Sequence, residues 1–530
     1  MIVHQESNSL LLKLRQPELV RKVIPQWSRN FDYEGHNIAV KFDLDVVRVL
    51  RNMGIKAPSP IRYNYHWPRP VKFATVFDHQ IATAEFLTFH FRAFVLNEMG
   101  TSKTASALWA ADYMMDKGFI NKVLIVSPLS TLELVWADEI FQCLMHRSYA
   151  VLHGSREKRL SLLAGNFDFY IINHDGLKII ADEIKKRKDI NLIIVDEAAA
   201  YRNSQTGRFK LLESTIQTWH RLWLMTGTPC PNSPCDAWAL TRLVNPNNVP
   251  RYFGAWRRNT MVQMSQYKWV PRPESYKMAY DAMQPAVRFK KSECMDLPPV
   301  MFESRKCSIT AEQAGLMAQM KKEAATELSN GVQITAANAA DKIGKIRQIL
   351  CGAIKDQNTG EYHPIAHTPR FELLMECIEQ AAAKVLVIVP FKGIIYNLAD
   401  EVEAAWAKDG LPWQLDIVNG DVSMTQRTAK FREFKTNPNL KLLLCHPRVM
   451  AHGITATDAD VMIFYAPIYS NEESQQVMDR INRPGQVRKM TIFRIGATGL
   501  EWNIYAQVEG KRLNQESILE MYKKELLDIQ

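Results

Sequence analysis

The sequence predicts an α/β protein with two parallel-sheet lobes in tandem, a small N-terminal domain and a helical, irregular insert between the lobes. Short apolar runs alternate with helical runs in two stretches, which is the pattern of parallel strands joined by crossover helices. The 530-residue chain is also too long for a single core. The predicted domains are residues 1–70, 71–245, 246–365, 366–514 and a C-terminal helix at 515–530.

Composition and charge narrow the class of protein. With 47% hydrophobic and 23% charged residues the chain is globular, and no apolar run is long enough to cross a bilayer. The net charge of +10 is compatible with a polyanionic partner but does not select one. The eight cysteines form no Cys-x-x-Cys pair, so we expect free thiols and no zinc site. Because the N-terminus lacks the layout of a signal peptide, we expect an intracellular protein.

The N-terminal domain is predicted to contain a strand at 38–42 and an amphipathic helix at 44–53, ending at Gly54. A Pro-rich connector at 57–70 follows, with Tyr63, Tyr65 and Trp67 interleaved with arginines. Such rings can stack on bases. We favour the alternative that they pack on the next domain.

Residues 97–104 lie between a predicted strand and an Ala-rich helix, which is the layout of a phosphate-binding loop. The helix N-terminus, Lys103 and Thr104 would bind phosphate and Mg²⁺. The usual glycine before the lysine is Ser102 here. If that position needs a positive φ, the serine costs roughly 1–2 kcal/mol. If it is helical, the hydroxyl could add a phosphate contact.

Further strands of the first lobe are predicted at 123–128, 169–173, 192–195 and 222–225. Asp196 and Glu197 follow the third of these, and Thr226 follows the fourth. Ligands of open α/β sheets bind at the carboxyl ends of strands. There an aspartate can hold Mg²⁺ and a glutamate can activate water. The alternative for the acidic pair is a helix N-cap.

The insert is rich in basic and aromatic residues over 251–295 and mainly helical over 310–350. The second lobe has predicted strands at 384–389, 440–444, 461–465 and 490–494, and no phosphate loop of its own. Arg480 and Arg483 are three residues apart, so we expect both on one face of a helix, as a source of positive charge. The alternative is an exposed helix on which Asp479 pairs with Arg480.

With these motifs the chain resembles superfamily 2 helicases, specifically the Swi/Snf-like ATP-dependent DNA translocases. The resemblance extends from about Asp78 to Tyr505. The resemblance is carried by Gln80 and by residues 97–104, 124–139, 195–203, 224–232, 289–299, 345–352, 453–460 and 476–486. It implies two RecA-like lobes. Two residues depart from the family pattern, namely Ser102 and, where a histidine is usual, Ala199.

The resemblance also implies roles for individual residues. ATP would contact Gln80, Met99, Gly100, Thr101, Ser102, Lys103 and Thr104, and Mg²⁺ would be held by Thr104 and Asp196. Catalysis would use Lys103, Glu197, Arg480 and Arg483. Coupling residues would be Thr226, Gly227, Thr228, Gly453, Asp458 and Gln476. The DNA-binding candidates are Ser127, Pro128, Arg257, Arg258, Lys290 and Lys291.

The function implied is that of an ATP-dependent helicase or translocase on duplex DNA, with little sequence preference. The expected setting is repair, recombination or replication in the cytoplasm of a bacterium or of an infected cell. The N-terminal domain is a candidate surface for protein partners. Two alternatives stay open, namely a nucleotide-gated DNA-binding protein whose ATPase is impaired, which Ser102 and Ala199 motivate, and an RNA helicase.

Overall fold

The computed structural model describes residues 1–69, 75–230, 233–265, 269–294, 298–329, 336–356, 359–450, 456–483 and 486–509. It divides into two compact units, Met1–Cys294 and Met295–Gln530. Each unit contains a parallel sheet with helices, which confirms the predicted α/β class and the two lobes. Within these described residues, no helix combines the length and apolar content that a membrane span requires.

The first unit opens with a small antiparallel sheet in the order β1-β2-β4-β3. Its elements are β1 (Ile2–His4), β2 (Ser9–Leu12), α1 (Pro17–Val23), β3 (Ser28–Tyr33), β4 (His36–Lys41), α2 (Leu44–Asn52) and α3 (Pro60–Asn64). Leu10, Ile38 and Val47 form part of its core. The chain leaves α2 at Gly54, whose φ of +82° is the left-handed conformation of a helix C-cap. The strand and helix predicted in this domain are therefore confirmed.

Two connector aromatics pack against the following part of the same unit. The Tyr65 hydroxyl donates to Asp112 Oδ2 at 2.7 Å, and this pair is buried. The Trp67 ring meets the Trp109 ring edge-on, with centroids 5.5 Å apart. These contacts agree with the packing interpretation of the connector, because both rings are already occupied by protein.

The main sheet of the first unit has seven strands in the order β13-β5-β10-β9-β6-β8-β7. A π-helix over Leu132–Ala137 precedes α6. The elements are α4 (Asp78–Phe89), β5 (Arg92–Val95), α5 (Lys103–Asp116), β6 (Lys122–Ser127), α6 (Asp138–Cys143), β7 (Tyr149–Val151), α7 (Arg156–Ala164), β8 (Phe169–Asn173), α8 (Leu177–Ile184), β9 (Ile190–Val195), α9 (Gly207–Thr215), β10 (Arg221–Met225), α10 (Asp236–Val244), α11 (Phe253–Thr260), β11 (Met261–Gln263), β12 (Trp269–Pro271), α12 (Ser275–Ala282), β13 (Ala286–Val287) and α13 (Lys291–Cys294).

Neighbouring strands of this sheet run parallel to each other, and the central strands are buried on both faces. That is why they read as continuous apolar runs. The sequence did not predict β7 and β13, whose three and two residues carry too little pattern. The first unit continues to Cys294, which is beyond the end of the first lobe predicted at residue 245. Within this additional stretch, β13 pairs with β5 of the main sheet.

The second unit has a six-stranded parallel sheet in the order β14-β21-β20-β17-β19-β18. Its edge strands β14 and β18 were not predicted, and the helix predicted at 515–530 lies outside the described residues. The elements are β14 (Val300–Lys306), α14 (Ala311–Ser329), α15 (Ala336–Leu350), β15 (Ala353–Lys355), β16 (Tyr362–Pro364), α16 (Thr368–Glu379), β17 (Lys384–Ile388), α17 (Lys392–Lys408), β18 (Gln414–Val418), α18 (Met424–Thr436), β19 (Leu440–Cys445), α19 (Pro447–Met450), β20 (Ala459–Phe464), α20 (Asn471–Met478), β21 (Met490–Gly496) and α21 (Gly499–Glu509).

A buried ion pair joins two helices of the second unit. Arg370 in α16 and Glu501 in α21 have side chains 2% and 0% exposed, with Nη2 and Oε2 2.5 Å apart. Arg370 Nη1 also donates to the Tyr465 carbonyl at 2.6 Å, and Glu501 accepts the Ala497 N–H at 2.8 Å. Because neither charge reaches water, each depends on the other for its neutralisation.

We expect Arg370→Met to lower the free energy of unfolding of the second unit by about 3–5 kcal/mol, since it leaves Glu501 buried without its cation. Urea denaturation followed by circular dichroism measures the change. The control is Arg448→Met, because Arg448 is 80% exposed and pairs with Glu473 at 3.6 Å. Equal losses for the two variants would contradict the importance given to the buried pair.

Candidate active site

The phosphate loop connects β5 to α5, as predicted. The chain passes through positive φ at Gly100 (+81°) and at Ser102 (+54°), and α5 begins at Lys103. Lys103 Nζ donates to the carbonyl oxygens of Asn97 at 2.9 Å and Glu98 at 3.1 Å. The ammonium group is thus held against the loop backbone, where it adds to the positive end of the helix dipole.

Ser102 adopts the left-handed conformation that the sequence left as one of two alternatives. Its φ and ψ are +54° and +45°, and its hydroxyl makes no capping hydrogen bond to the first turn of α5 in the part of the chain that the structure describes. A residue with a Cβ costs roughly 1–2 kcal/mol in this conformation. The serine is therefore a strained substitute for glycine at this position.

Three buried polar residues, none of them given an individual role from the sequence, support the loop. Asn97 Nδ2 donates to the Thr83 hydroxyl at 2.9 Å, which donates to the His79 carbonyl at 2.7 Å. His79 Nε2 lies 3.1 Å from the Thr101 carbonyl oxygen. That oxygen only accepts, so this nitrogen carries the proton, and burial lowers the pKa of His79, which favours the neutral ring.

The other end of the Asn97 amide binds a distant part of the chain. Asn97 Oδ1 accepts the Phe289 N–H at 3.0 Å, and Glu98 Oε2 accepts the Lys291 N–H at 2.9 Å. Residues 289–291 are thereby attached to the start of the phosphate loop. An amide is needed at position 97 because it donates on one side and accepts on the other. The signal in the sequence is that Asn97 is the first residue of the 97–104 string.

Gln80 is buried, with 5% of its surface exposed. Its Oε1 accepts the Phe77 N–H at 2.9 Å, at the start of α4. The side-chain oxygen of Gln80 therefore caps α4. In the role that the family resemblance implies, its amide nitrogen would donate a hydrogen bond to the base of the nucleotide.

Asp196 and Glu197 follow β9 directly. Asp196 Oδ1 accepts the Glu197 N–H at 2.9 Å, and Oδ2 accepts the indole N–H of Trp136 at 3.1 Å. Burial raises the pKa of Asp196, while the charge of Lys103 and these two hydrogen bonds oppose the rise. Glu197 has a φ of +50°, and its Oε1 accepts a long hydrogen bond of 3.5 Å from Thr226. Ala199 is buried and offers no polar side chain.

The loop after β10 closely approaches the phosphate loop. A Cβ added to Gly227 would stand 3.0 Å from Met99 Cγ and 3.2 Å from the Met99 nitrogen, so a larger residue would require Met99 to shift. Thr226 Oγ1 accepts the Thr228 N–H at 3.2 Å. The coupling candidates Thr226, Gly227 and Thr228 are therefore brought to the phosphate loop and Glu197.

This edge of the sheet suits a nucleoside triphosphate with Mg²⁺. The carboxylate of Asp196 and the hydroxyl of Thr104 are oxygen donors of the kind that Mg²⁺ prefers. Lys103 and the N-terminus of α5 offer positive charge to phosphate groups. Because β5 and β9 both pair with β10, Lys103 after β5 and Asp196 after β9 lie at the same edge of the sheet.

The candidates in the second unit are arranged differently from the prediction. α20 ends at Met478, so Arg480 and Arg483 lie in the turns after it and the single helical face predicted for them is wrong. The Pro484 that follows disfavours helical backbone at the residue before it. Arg483 Nε donates to the Asp479 carbonyl at 2.9 Å. Burial lowers the pKa of Arg483, and the charge of Asp479 opposes this.

A backbone hydrogen bond fixes the main chain of Arg480, because its carbonyl accepts the Ala456 N–H at 2.9 Å. Gln476 and Arg480 are buried, with 4% and 5% of their surfaces exposed. Burial lowers the pKa of Lys384, and the charge of Asp458 nearby opposes this. Gly453, the remaining coupling candidate, lies outside the described residues.

The DNA-binding candidates differ in accessibility. Ser127 is buried and hydrogen-bonded to the Thr131 hydroxyl, and Lys291 is 8% exposed. These side chains are not on an open surface. Arg258 is exposed, and the Lys290 side chain is exposed beside Glu293. The remaining two are partly buried, namely Pro128 and Arg257, whose guanidinium lies 4.1 Å from the Trp269 ring centroid.

We expect Ser102→Gly to leave the free energy of unfolding unchanged or to raise it by up to about 1 kcal/mol, because relief of the left-handed strain outweighs the flexibility of glycine. The matched control is Ser106→Gly, since Ser106 is buried inside α5. There the glycine should cost about 1 kcal/mol. Similar losses at both positions, measured by denaturant unfolding, would show that the Ser102 hydroxyl is a structural group.

Comparison with protein families identifies two domains. A model described as the SNF2-related domain matches residues 79–355. A model described as the helicase conserved C-terminal domain matches residues 369–485.

Among known proteins, the chain is 24% identical to protein p41 of Acyrthosiphon pisum secondary endosymbiont phage 1, over 80% of this chain and 94% of that protein. It is 22% identical to an uncharacterized ATP-dependent helicase of Mycoplasma genitalium, over 83% of this chain and 40% of that protein. It is 24% identical to nuclear protein STH1/NPS1 of Saccharomyces cerevisiae, over 77% of this chain and 32% of that protein. The chain thus spans less than half of the two cellular relatives.

A solved structure of the Sulfolobus solfataricus SWI2/SNF2 ATPase core in complex with dsDNA is 19% identical. The match covers 87% of this chain and 96% of that chain, with a TM-score of 0.39. The SNF2-related model alone spans more than half of the 530 residues, and the helicase C-terminal model follows it. The protein therefore belongs to the SNF2-related family of helicase-type proteins.

Proposed function

We propose that the protein hydrolyses ATP in a DNA-dependent manner and uses this reaction to move along duplex DNA. The observation that carries the proposal is the convergence of three strand ends in the first unit. The phosphate loop follows β5, Thr226 follows β10 and Asp196 follows β9, and these strands are neighbours in the sheet. Bound Mg²⁺ would neutralise phosphate charge and polarise the reacting phosphoryl group.

The chain's own residues supply the rest of the chemistry. Lys103 would exchange its two loop carbonyls for phosphate oxygens when nucleotide binds. Thr104 and Asp196 would hold the metal. Glu197 would orient and deprotonate the attacking water, with Thr226 holding its carboxylate. Arg480 and Arg483 of the second unit would neutralise the charge that develops in the transition state, a role worth about 10³–10⁵ in rate for arginine fingers.

DNA binding would rest mainly on backbone phosphates, which gives little sequence preference. The +10 net charge and the exposed Arg258 support this. We place the activity in repair, recombination or replication in a bacterial or infected-cell cytoplasm, with the N-terminal domain as a surface for protein partners.

We expect Lys103→Ala to lower DNA-stimulated ATP hydrolysis by about 10²-fold or more, because the phosphate groups lose their main cation. Release of inorganic phosphate with and without duplex DNA measures this. Lys210→Ala is the control, since Lys210 is exposed on α9 of the same unit. Hydrolysis by the Lys103 variant at the wild-type rate would refute the proposed site.

The same assay separates the alternatives. DNA-dependent turnover by the wild-type protein would exclude a nucleotide-gated binding protein without ATPase activity. Stronger stimulation by RNA than by duplex DNA would favour an RNA helicase. Displacement of a triplex strand without separation of a labelled duplex would identify a translocase that tracks DNA without unwinding it.

We expect Arg258→Ala to weaken DNA binding equally for unrelated sequences and to reduce the slope of log affinity against log salt by about 0.9, as for the loss of one phosphate contact. Fluorescence anisotropy at several salt concentrations measures both effects. The control is Arg208→Ala, because Arg208 pairs with Asp175 elsewhere on the first unit. An unchanged slope for the Arg258 variant would remove this residue from the DNA interface.

A further inference from the structure

We infer that Trp136 is a positioning residue for Asp196, and that through it residues 128–137 act on the proposed metal ligand. The inference rests on the proposed function, which assigns Mg²⁺ to Asp196. It goes further because only Ser127 and Pro128 at the start of this stretch were given a role from the sequence, as DNA-binding candidates.

The indole N–H of Trp136 donates to the Asp196 carboxylate. Trp136 is fully buried, and its Nε1 lies 3.1 Å from Asp196 Oδ2. An indole N–H can donate but not accept, so the direction of the bond is fixed. Together with the Glu197 N–H on Oδ1, it gives each carboxylate oxygen one donor. Each oxygen keeps lone pairs free for a metal or its water.

The main chain reinforces this placement. The N–H of Asp196 donates to the Val126 carbonyl at 2.8 Å, so the residue is tied to β6 by its backbone as well as by the Trp136 side chain. Both attachments come from a single stretch of chain that begins in β6. A displacement of that stretch therefore changes the orientation of the carboxylate.

The segment that carries Trp136 has an irregular helix and an exposed side. Its π-helix over Leu132–Ala137 has wider turns than an α-helix, a form often found at functional sites. Leu129 is 52% exposed and Glu133 is also exposed, whereas Trp136 is buried. A ligand that contacts the exposed side can thus shift the buried indole, and with it Asp196.

The test measures metal affinity in the full-length protein, independently of turnover. Mn²⁺ is titrated onto protein saturated with a non-hydrolysable ATP analogue, and free Mn²⁺ is followed by electron paramagnetic resonance. Trp136→Phe keeps most of the ring but removes the N–H. We expect it to raise the Mn²⁺ dissociation constant about tenfold, as for a lost hydrogen bond to a charged group. Affinity for the analogue without metal should change less than about twofold by the same argument.

The matched control is Trp109→Phe. Trp109 is 2% exposed, and its indole donates to the Pro68 carbonyl at 2.7 Å, away from any carboxylate. It also belongs to the same hydrophobic core as Trp136. Both variants lose one ring and one hydrogen bond, so a merely structural effect would appear in both. Equal Mn²⁺ dissociation constants for the two variants would overturn the inference.

Duplex DNA provides the second readout. In the wild-type protein, we expect the Mn²⁺ dissociation constant to change when saturating duplex DNA is added, and this change should vanish in the Trp136 variant but not in the Trp109 variant. A DNA effect of wild-type size in Trp136→Phe would overturn the transmission through residues 128–137. If the wild-type protein binds no nucleotide or Mn²⁺, the proposed function fails and the inference fails with it.

Discussion

The parallel register at the carboxyl edge of the first sheet is the constraint on which the proposed nucleotide site depends. Met225 pairs with Val95, Leu224 pairs with Val195, and Val126 also pairs with Val195. The strands β5, β10, β9 and β6 therefore end at nearly the same level. Because side chains alternate between faces along a strand, a slip of one residue would turn each terminal side chain away from the others.

The polar residues at this edge are stabilised by partners rather than by water. Asn97, Thr83 and His79 form a chain of hydrogen bonds that ends on the phosphate loop. Buried polar groups are tolerated when such partners satisfy them, and a satisfied network holds one arrangement. Strain is present at the same edge, since Ser102 and Glu197 both have positive φ. Residues in this conformation often mark functional sites, because the surrounding contacts must hold them there.

The sequence led to correct strands wherever an apolar run was long, and to wrong or missing structure where a helix ended early or an element depended on a distant part of the chain. The spacing of Arg480 and Arg483 implies a shared face only while a helix continues, and α20 ends before both residues. Lys291 looked like a surface cation, yet its N–H binds Glu98 and its side chain is buried. The edge strand β13 has only two residues, and it becomes a strand by pairing with β5.

The sequence by itself determined the α/β class, the position of the phosphate loop and the acidic pair after β9, because these follow from local periodicity and from residue types at short spacing. Only the tertiary structure decided the left-handed conformation of Ser102, the support of the loop by Asn97 and His79, and the bond from Trp136 to Asp196. The bond from Trp136 joins residues 60 positions apart in the chain. No local pattern encodes such a bond, since it arises only when β6 and β9 lie side by side in the sheet. The phosphate loop can therefore be identified from one short stretch of sequence, whereas the geometry around it depends on the fold of the whole first unit.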